Sequence, residues 1–425
     1  MNLKFLGAAG EVGRSGVLLN TGNEKMLFDY GIKIISQAEG PLQAPKIPLK
    51  VKLDLDAMLL SHAHLDHSGF VPNLYNRGYR GPTYSTATTF DLARILLNDS
   101  IKLANLRNQE KYFFKEDLKT MEKNEYRITY GQQFYVGKSS IGIYDAGHIP
   151  GSVSFHVNTG KKSVVYSGDI KTRDTELLRG LEPIRENTDI LIMESTYGER
   201  EHPDREIQEK QLTEKVRETL EMNGTAMVPC FAVGRAQEVL LILEKYGLDK
   251  YPIYLDGMAV DATKIIMKYP ELIRQPKKLD KIYKNIEKVY NNRQRNDAAK
   301  RPCIIVTTSG MLNGGPIAHY LEKLYDKKNC SLTLTGFQVP GSAGHTLLET
   351  GNYVTEENNF KIKCRVDFID LSAHSGRSEL FDYVKMIDPK KVFVIHGDSC
   401  DKFASELKEQ GYDAHAPQSG EVCEI

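Results

Sequence analysis

The apolar positions of the chain begin as short runs separated by polar turns. "GVLLNTG" and "KMLFDYG" read as two strands of a hairpin turning at Asn23, and "DAMLLSH" reads as a buried strand. Between about residues 86 and 124 the spacing lengthens to that of helices, as in "TTFDLARILLNDSIKLANL". Strands resume in "SSIGIYDAGH", "SVSFHV", "SVVYSGD" and "DILIMES". Near residue 204 the texture changes, because "REIQEKQLTEKVRETLEMNG" is an amphipathic helix that stops at Gly224. Strand-like and helix-like segments then alternate through "TAMVPCF", "AQEVLLILEKYG", "CIIVTTSG" and "CSLTLTGF", which predicts a parallel sheet wrapped by helices. Strand character returns in "KCRVDFIDLSAH" and "VFVIHGD" around the helix "RSELFDYVKMI". The pattern predicts an α/β chain in which one domain, 1–203 and 351–425, is interrupted by a second at 204–350.

Six of these strands stop at a side chain able to bind a metal or move a proton. "MLFDYG" ends on Asp29, "MLLSHAHLDH" on His62, His64, Asp66 and His67, and "IGIYDAGH" on His148. "VVYSGD" ends on Asp169, "ILIMES" on Glu194 and "VFVIHGD" on His396. The repetition predicts that one edge of a sheet collects reactive groups, held there more rigidly than on free loops. In an extended loop His62 and His64 project to the same side and can grip one ion, while Asp66 and His67 address a second. Imidazole nitrogen and carboxylate oxygen suit zinc. His148 and Asp169 complete the first site, Asp169 bridges to the second, and His396 supplies a further nitrogen there. Two ions roughly 3.5–4 Å apart can acidify a water and clamp both oxygens of an in-line displacement.

Composition narrows the class. At 425 residues the chain is comfortable as two domains, and 40% hydrophobic with 26% charged residues excludes widespread disorder. No run of 18 apolar residues appears, so no membrane span is expected. The start lacks the basic head and apolar stretch of a secretory signal, and the six cysteines are scattered with no CxxC pair. Both features predict reduced thiols and a cytoplasmic protein. A formal net charge of zero is silent on nucleic acid, but residues 274–302 hold ten Lys/Arg against three Asp/Glu, with Tyr283 and Tyr290 among them. That run is either a phosphate-contacting patch or a solvated helix face. "TSGMLNGGP" lies between a strand and a helix, where Ser309 and Gly310 could receive a phosphate on backbone N–H groups or simply form a turn. It lacks GK[ST], so it is no Walker loop. His156, His202, His319 and His415 have no partner motif and read as ordinary polar positions.

The HxHxDH spacing of His62, His64, Asp66 and His67 resembles the signature of the metallo-β-lactamase superfamily. Glu194 in "MESTYG", His374 in "LSAHSG" and His396 in "VIHGD" resemble acidic motif A, motif B and motif C of its β-CASP branch, which processes nucleic acids. "VPCFAVGRAQE", "LDGMAVDAT" and "TSGMLNGGP" are similar to stretches of the same branch, so the resemblance covers nearly the whole chain. It implies an αββα sandwich with an inserted parallel-sheet β-CASP domain, as in the catalytic cores of ribonuclease J and the cleavage-factor endonuclease. Histidine at motif C is typical of RNA-cleaving members, whereas DNA-repair members typically have valine. The resemblance therefore implies a ribonuclease acting on single-stranded RNA in processing or decay. It also implies two zinc ions, with manganese as an alternative.

Residue roles follow from the same likeness. A hydroxide between the zinc ions attacks phosphorus, with Asp66 both ligating and orienting it. His374 protonates the leaving 3′-oxygen and Glu194 holds His374 in place. Asp29 fixes a ligand histidine from behind. Ser372 touches the substrate phosphate or caps its own loop. One departure is His345 in "GSAGHTLL", where many relatives have arginine. Endonuclease against 5′-exonuclease action and homodimerisation stay open, and the rival readings are a small-molecule hydrolase of the superfamily or a DNA nuclease.

Overall fold

Two seven-stranded sheets lie face to face, and the strands that end in reactive groups come from both of them. The computed structural model describes residues 1–33 and 45–425. The first sheet runs in the order Val422–Glu424, Asn2–Gly7, Gly16–Asn20, Lys25–Phe28, Ala57–Leu59, Thr83–Thr86, Glu125–Ile128. The second runs Asp413–His415, Lys391–Ile395, Ile190–Glu194, Ser163–Tyr166, Val153–Asn158, Ser139–Asp145, Gln133–Val136. The hairpin expected around Asn23 is present, Gly16–Asn20 pairing antiparallel with Lys25–Phe28. Alternate residues of both sheets fill the space between them, where Phe28 stacks on Tyr166 at 4.9 Å and Phe5 meets Phe393 at 5.3 Å. Helices Arg377–Ile387 and Cys400–Glu409 cover the outer face of the second sheet through Leu380, Val384, Phe403 and Leu407. The outer face of the first sheet is covered by Val71–Asn76 and Ala87–Leu106. This is the αββα arrangement.

A third sheet is built after residue 204. Its six strands are all parallel, in the order Glu287–Val289, Ile253–Asp256, Cys303–Thr307, Thr225–Pro229, Ser331–Leu334, Arg365–Phe368. Parallel strands need helical crossovers, which explains the strand–helix alternation of this stretch. The last strand lies beyond residue 350, where the sequence pattern puts the return to the first domain. Its residues pair with Ser331–Leu334 at the edge of the third sheet, Val366 packing against the core of the insert while Phe368 is exposed. At its carboxyl end the chain then runs directly into the Asp370–Gly376 segment. One apolar cluster joins Leu92, Ile149 and Leu177 of the sandwich to Val233, Val239 and Leu240 of the insert, so the insert is fixed to the face that carries His148.

The reactive strand ends share a direction. Lys25–Phe28 and Ala57–Leu59 are parallel neighbours in the first sheet. In the second, Ser163–Tyr166, Ile190–Glu194 and Lys391–Ile395 are mutually parallel, and Ser139–Asp145 shares their direction across one antiparallel neighbour. The expectation of one sheet edge is thus corrected to the matching edges of two stacked sheets. The basic run 274–302 folds as helices Pro276–Asn285 and Asn292–Ala298 around a short strand. Six of its ten cations pair with carboxylates, among them Lys281 with Glu244 and Asp249, Lys284 with Asp280, and Arg295 with Asp256, while Tyr283 is buried. No helix among the described residues is long and apolar enough to cross a membrane.

Candidate metal centre

His62 and His64 lie on the non-helical chain after Ala57–Leu59, whereas Asp66 and His67 stand on the single helical turn Leu65–Ser68. The turn replaces the extended loop expected there and folds the second pair back beside His62, whose ring lies 4.1 Å from that of His67. Asp29 and His396, each placed just after a strand, have φ of +51°. That left-handed conformation is costly for a residue with a β-carbon and turns the chain sharply at the strand end. Gly31 permits the close packing beneath, since a β-carbon there would lie 1.7 Å from the Asp66 carbonyl oxygen.

Four side chains, His62, His64, His148 and Asp169, bring one donor atom each within 4.8 Å of one another, and so do His67, Asp169 and His396. Asp66 joins His62 and His67 in a third such grouping, and its Oδ2 is 3.4 Å from His396 Nε2. The two carboxylate oxygens of Asp169 face different partners. Oδ2 lies 3.5 Å from His62 Nε2 and 3.6 Å from His148 Nε2, while Oδ1 lies 3.2 Å from His67 Nε2 and 3.7 Å from His396 Nδ1.

The donor set suits cations. His64 Nδ1 faces His148 Nε2 at 3.1 Å, and His67 Nε2 faces His396 Nε2 at 3.2 Å. Around zinc, with bonds of about 2.0–2.1 Å, tetrahedral ligand atoms stand roughly 3.3–3.4 Å apart, and the separations here, from 3.1 to 3.7 Å, lie around that value. His62 Nε2 and Asp169 Oδ1 are buried and make no hydrogen bond, an arrangement a fold rarely leaves without a further partner. Burial, reinforced by neighbouring rings, holds His62 and His148 well below the ordinary histidine range, which keeps them as neutral ligands. At His67 burial is outweighed by Asp169, Asp29 and Asp66, which raise its pKa well above normal and mark a place where positive charge is favoured. Asp66 shows the converse, burial being outweighed by His67 and His396, which hold its carboxyl well below the usual range.

Behind this cluster a set of hydrogen bonds fixes the rings. Asp29 Oδ2 accepts from His67 Nδ1 at 2.7 Å, from Ser61 Oγ at 2.7 Å and from Tyr166 Oη at 2.8 Å, and Oδ1 accepts from Ser61 N at 2.7 Å. His148 Nδ1 donates to Ala373 O at 2.9 Å. Ser61, Tyr166 and Ala373 escape a reading of the sequence, since a serine, a strand tyrosine and a backbone carbonyl carry no distinguishing pattern.

His374 sits over the cluster, its ring 4.5 Å from that of His148. Its Nδ1 lies 3.0 and 3.1 Å from the two oxygens of Glu194, which also accepts from Ile170 N at 2.7 Å. Burial alone would lower the His374 pKa, but the adjacent Glu194 carboxylate outweighs it and raises it to about 8. Ser372 Oγ accepts from His374 N at 3.2 Å, so it caps its own loop. Ser309 and Gly310 follow the strand Cys303–Thr307 in the insert, where Gly310 O accepts from Gln338 Nε2 and Ser309 O from Leu312 N. His345 pairs with Glu349 one turn along its helix.

The comparisons with known proteins agree with this geometry. Residues 18–196 match the metallo-beta-lactamase superfamily domain, 236–347 the Beta-Casp domain, and 359–417 the Zn-dependent metallo-hydrolase RNA specificity domain. "Probable RNase MJ4" of Methanocaldococcus jannaschii is 38% identical over all of both chains. The chain belongs to the β-CASP family of the metallo-β-lactamase superfamily. Another relative, "RNase aCSPSF2" of Saccharolobus solfataricus, is 34% identical over 100% of this chain and 85% of its own. "Transcription termination factor FttA" of M. jannaschii is 33% identical over 96% of this chain and 69% of its own. A crystal structure of a protein of unknown function from Enterococcus faecalis overlays with a TM-score of 0.59 across 99% of each chain at 14% identity, a likeness of fold alone.

The β-CASP insert presents its loops to the centre. The segments after Thr225–Pro229, Cys303–Thr307 and Ser331–Leu334 all leave the carboxyl ends of parallel strands, the side of such sheets that receives ligands. At this seam Tyr197 stands 5.8 Å from the His374 ring and 6.2 Å from Phe337 of the insert, and the Arg200 guanidinium lies 4.6 Å above the Tyr197 ring. Phe231 and Phe337 are exposed.

Proposed function

We propose that this β-CASP chain hydrolyses phosphodiester bonds of single-stranded RNA with two divalent cations, zinc or manganese, as an endonuclease, a 5′-exonuclease or both. The observation that carries the reading is the division of Asp169 between two donor sets directly beneath His374. His62, His64, His148 and Asp169 would hold one cation, and Asp66, His67, His396 and Asp169 the other. Bound there, the pair supplies charge neutralisation for the phosphoryl transition state and a nucleophile at neutral pH.

The chain's own groups do the rest. Asp66 accepts a hydrogen bond from the attacking water and aims it. His374, with Nδ1 engaged by Glu194, keeps Nε2 to give a proton to the departing 3′-oxygen. Glu194 favours the charged ring, so the proton is available near neutrality. Asp29 orients His67 and raises its basicity as a ligand. Exposed Phe231 and Phe337 at the insert edge suit unpaired bases, which stack on aromatic faces without sequence preference. The names of the two ribonuclease relatives support RNA as the polymer.

Single-stranded RNA labelled at either terminus, with matched DNA beside it, tests the reading with and without chelator. Chelator-sensitive cleavage of RNA is expected, and ladders from the two labels separate internal from terminal attack. Inert RNA alongside a hydrolysed thioester would overturn it.

A further inference from the structure

At the seam between insert and sandwich a guanidinium is buried with its Nε unpaired. Arg235 opens the eleven-residue helix Arg235–Lys245, directly after Gly234, whose added β-carbon would lie 3.0 Å from Ile149, the neighbour of His148. Arg235 is only 9% exposed, and its Nε makes no hydrogen bond. The carboxylate that bears on it, Glu238, is engaged elsewhere: Oε1 accepts from Arg205 Nη2 and from Glu176 N, and Oε2 from Leu177 N. The nearby Cys230 thiol is pushed by burial up to about 12, so it offers no negative charge. Burial and the Arg205 charge together lower the Arg235 pKa to about 10, which still leaves it charged at neutral pH.

The surroundings carry further unpaired donors, although Arg200 Nη2 and His202 Nδ1 reach Asp370 Oδ2 at 3.4 and 3.1 Å. Tyr197 bears electrostatically on Arg235, and its ring lies 4.5 Å from the His202 ring and 4.6 Å from the Arg200 guanidinium. His202 Nε2 and Arg200 Nε are also buried without hydrogen-bond partners. Three unsatisfied nitrogens therefore surround one tyrosine that itself stands 5.8 Å from His374. A buried guanidinium nitrogen without an acceptor is expensive, and a ligand oxygen placed there would satisfy it. The helix N-terminus adds positive potential of the same sign.

Building on the ribonuclease reading, we infer that Arg235, which Tyr197 links to the His374 side of the seam, receives a backbone phosphate of the substrate strand next to the scissile one. Planar guanidinium donors match phosphate oxygens in pairs, which gives the strand a fixed register over His374.

The test uses the full chain with its metals, as wild type, Arg235→Met and Arg235→Lys. Metal content, Tm without ligand, Tm with inorganic phosphate, and RNA Kd across a salt series are measured. Arg235→Met is expected to keep its metals and a Tm equal to or above wild type, because it removes a buried unpaired donor while filling the space. Its Tm rise with phosphate shrinks, its RNA Kd rises about tenfold, and the salt slope falls by about 0.7, the share of one phosphate on a single strand. Arg235→Lys keeps most of the slope but loses affinity.

A Tm several degrees below wild type in both variants would make Arg235 a structural residue and overturn the inference, as would an unchanged Kd and slope in Arg235→Met. If wild type ignores RNA yet shows an Arg235-dependent phosphate shift, the anion site stands and the ribonuclease reading falls. If wild type binds RNA and Arg235→Met binds it equally, the reading stands and this site falls.

Discussion

His374 Nδ1 faces both oxygens of Glu194 at 3.0 and 3.1 Å, while the same ring lies 4.5 Å from His148. The pair adjoins the donor cluster, His374 Nδ1 lying 4.0 Å from Asp169 Oδ2, and its mutual hydrogen bonds suit it to hold a proton there. His374→Ala is therefore expected to retain its metals yet lose turnover by about 10²–10⁴-fold. Metal analysis beside single-turnover cleavage checks this. Normal cleavage by the variant would remove His374 from the acid role.

Asp169 divides its oxygens between two sets of histidines, so neither set is complete without it. Asp169→Ala should lose metal from both. Atomic spectroscopy after dialysis is the measurement, and retention of two ions per chain would contradict the bridging assignment.

Asp29 accepts four hydrogen bonds and orients His67. Asp29→Asn replaces one acceptor oxygen by a donor and should weaken metal affinity about 10–100-fold while leaving every direct donor in place. Competition with a chromogenic chelator reads the change.

Phe337 stands exposed at the seam, opposite Tyr197. Phe337→Ala should weaken RNA binding by about 1–3 kcal/mol if a base stacks on it, with metal content unchanged. Fluorescence anisotropy with a labelled oligonucleotide decides the matter, and an unaltered Kd would leave Phe337 outside the path of the strand.

Asp370 carries a pH signature. Burial would raise its carboxyl, but His202 and Arg200 outweigh burial and hold it at about 2, against an ordinary 3.8. A depressed folded-state pKa stabilises the fold above the ordinary value and loses that contribution as pH falls from about 4 towards 2. Asp370→Asn should therefore be less stable than wild type by on the order of 2 kcal/mol at pH 6, the gap closing as acid is added. Denaturant melts at several pH values test this, and a gap independent of pH would refute the ion-pair origin.

The motif residues, the alternating order of the insert and the strand ends were legible in the sequence because each depends on local spacing. HxHxDH, Glu194 and His396 are side-chain identities after strands, His374 lies in the loop beyond one, and strands show themselves by apolar runs. Other features were decided only in three dimensions. The reactive edge belongs to two sheets because Lys25–Phe28 and Ala57–Leu59 stack against strands from residues 139–395, a pairing no local pattern encodes. Arg365–Phe368 joined the insert because its pairing partner, Ser331–Leu334, is distant in sequence. Ser61 and Tyr166 became part of the support through one buried carboxylate, and Arg235 became notable only when folding took away its water and left its Nε without an acceptor. Spacing along a chain reports which groups are present. Which of them share a dielectric, a hydrogen bond or an unmet charge depends on the distances that packing sets.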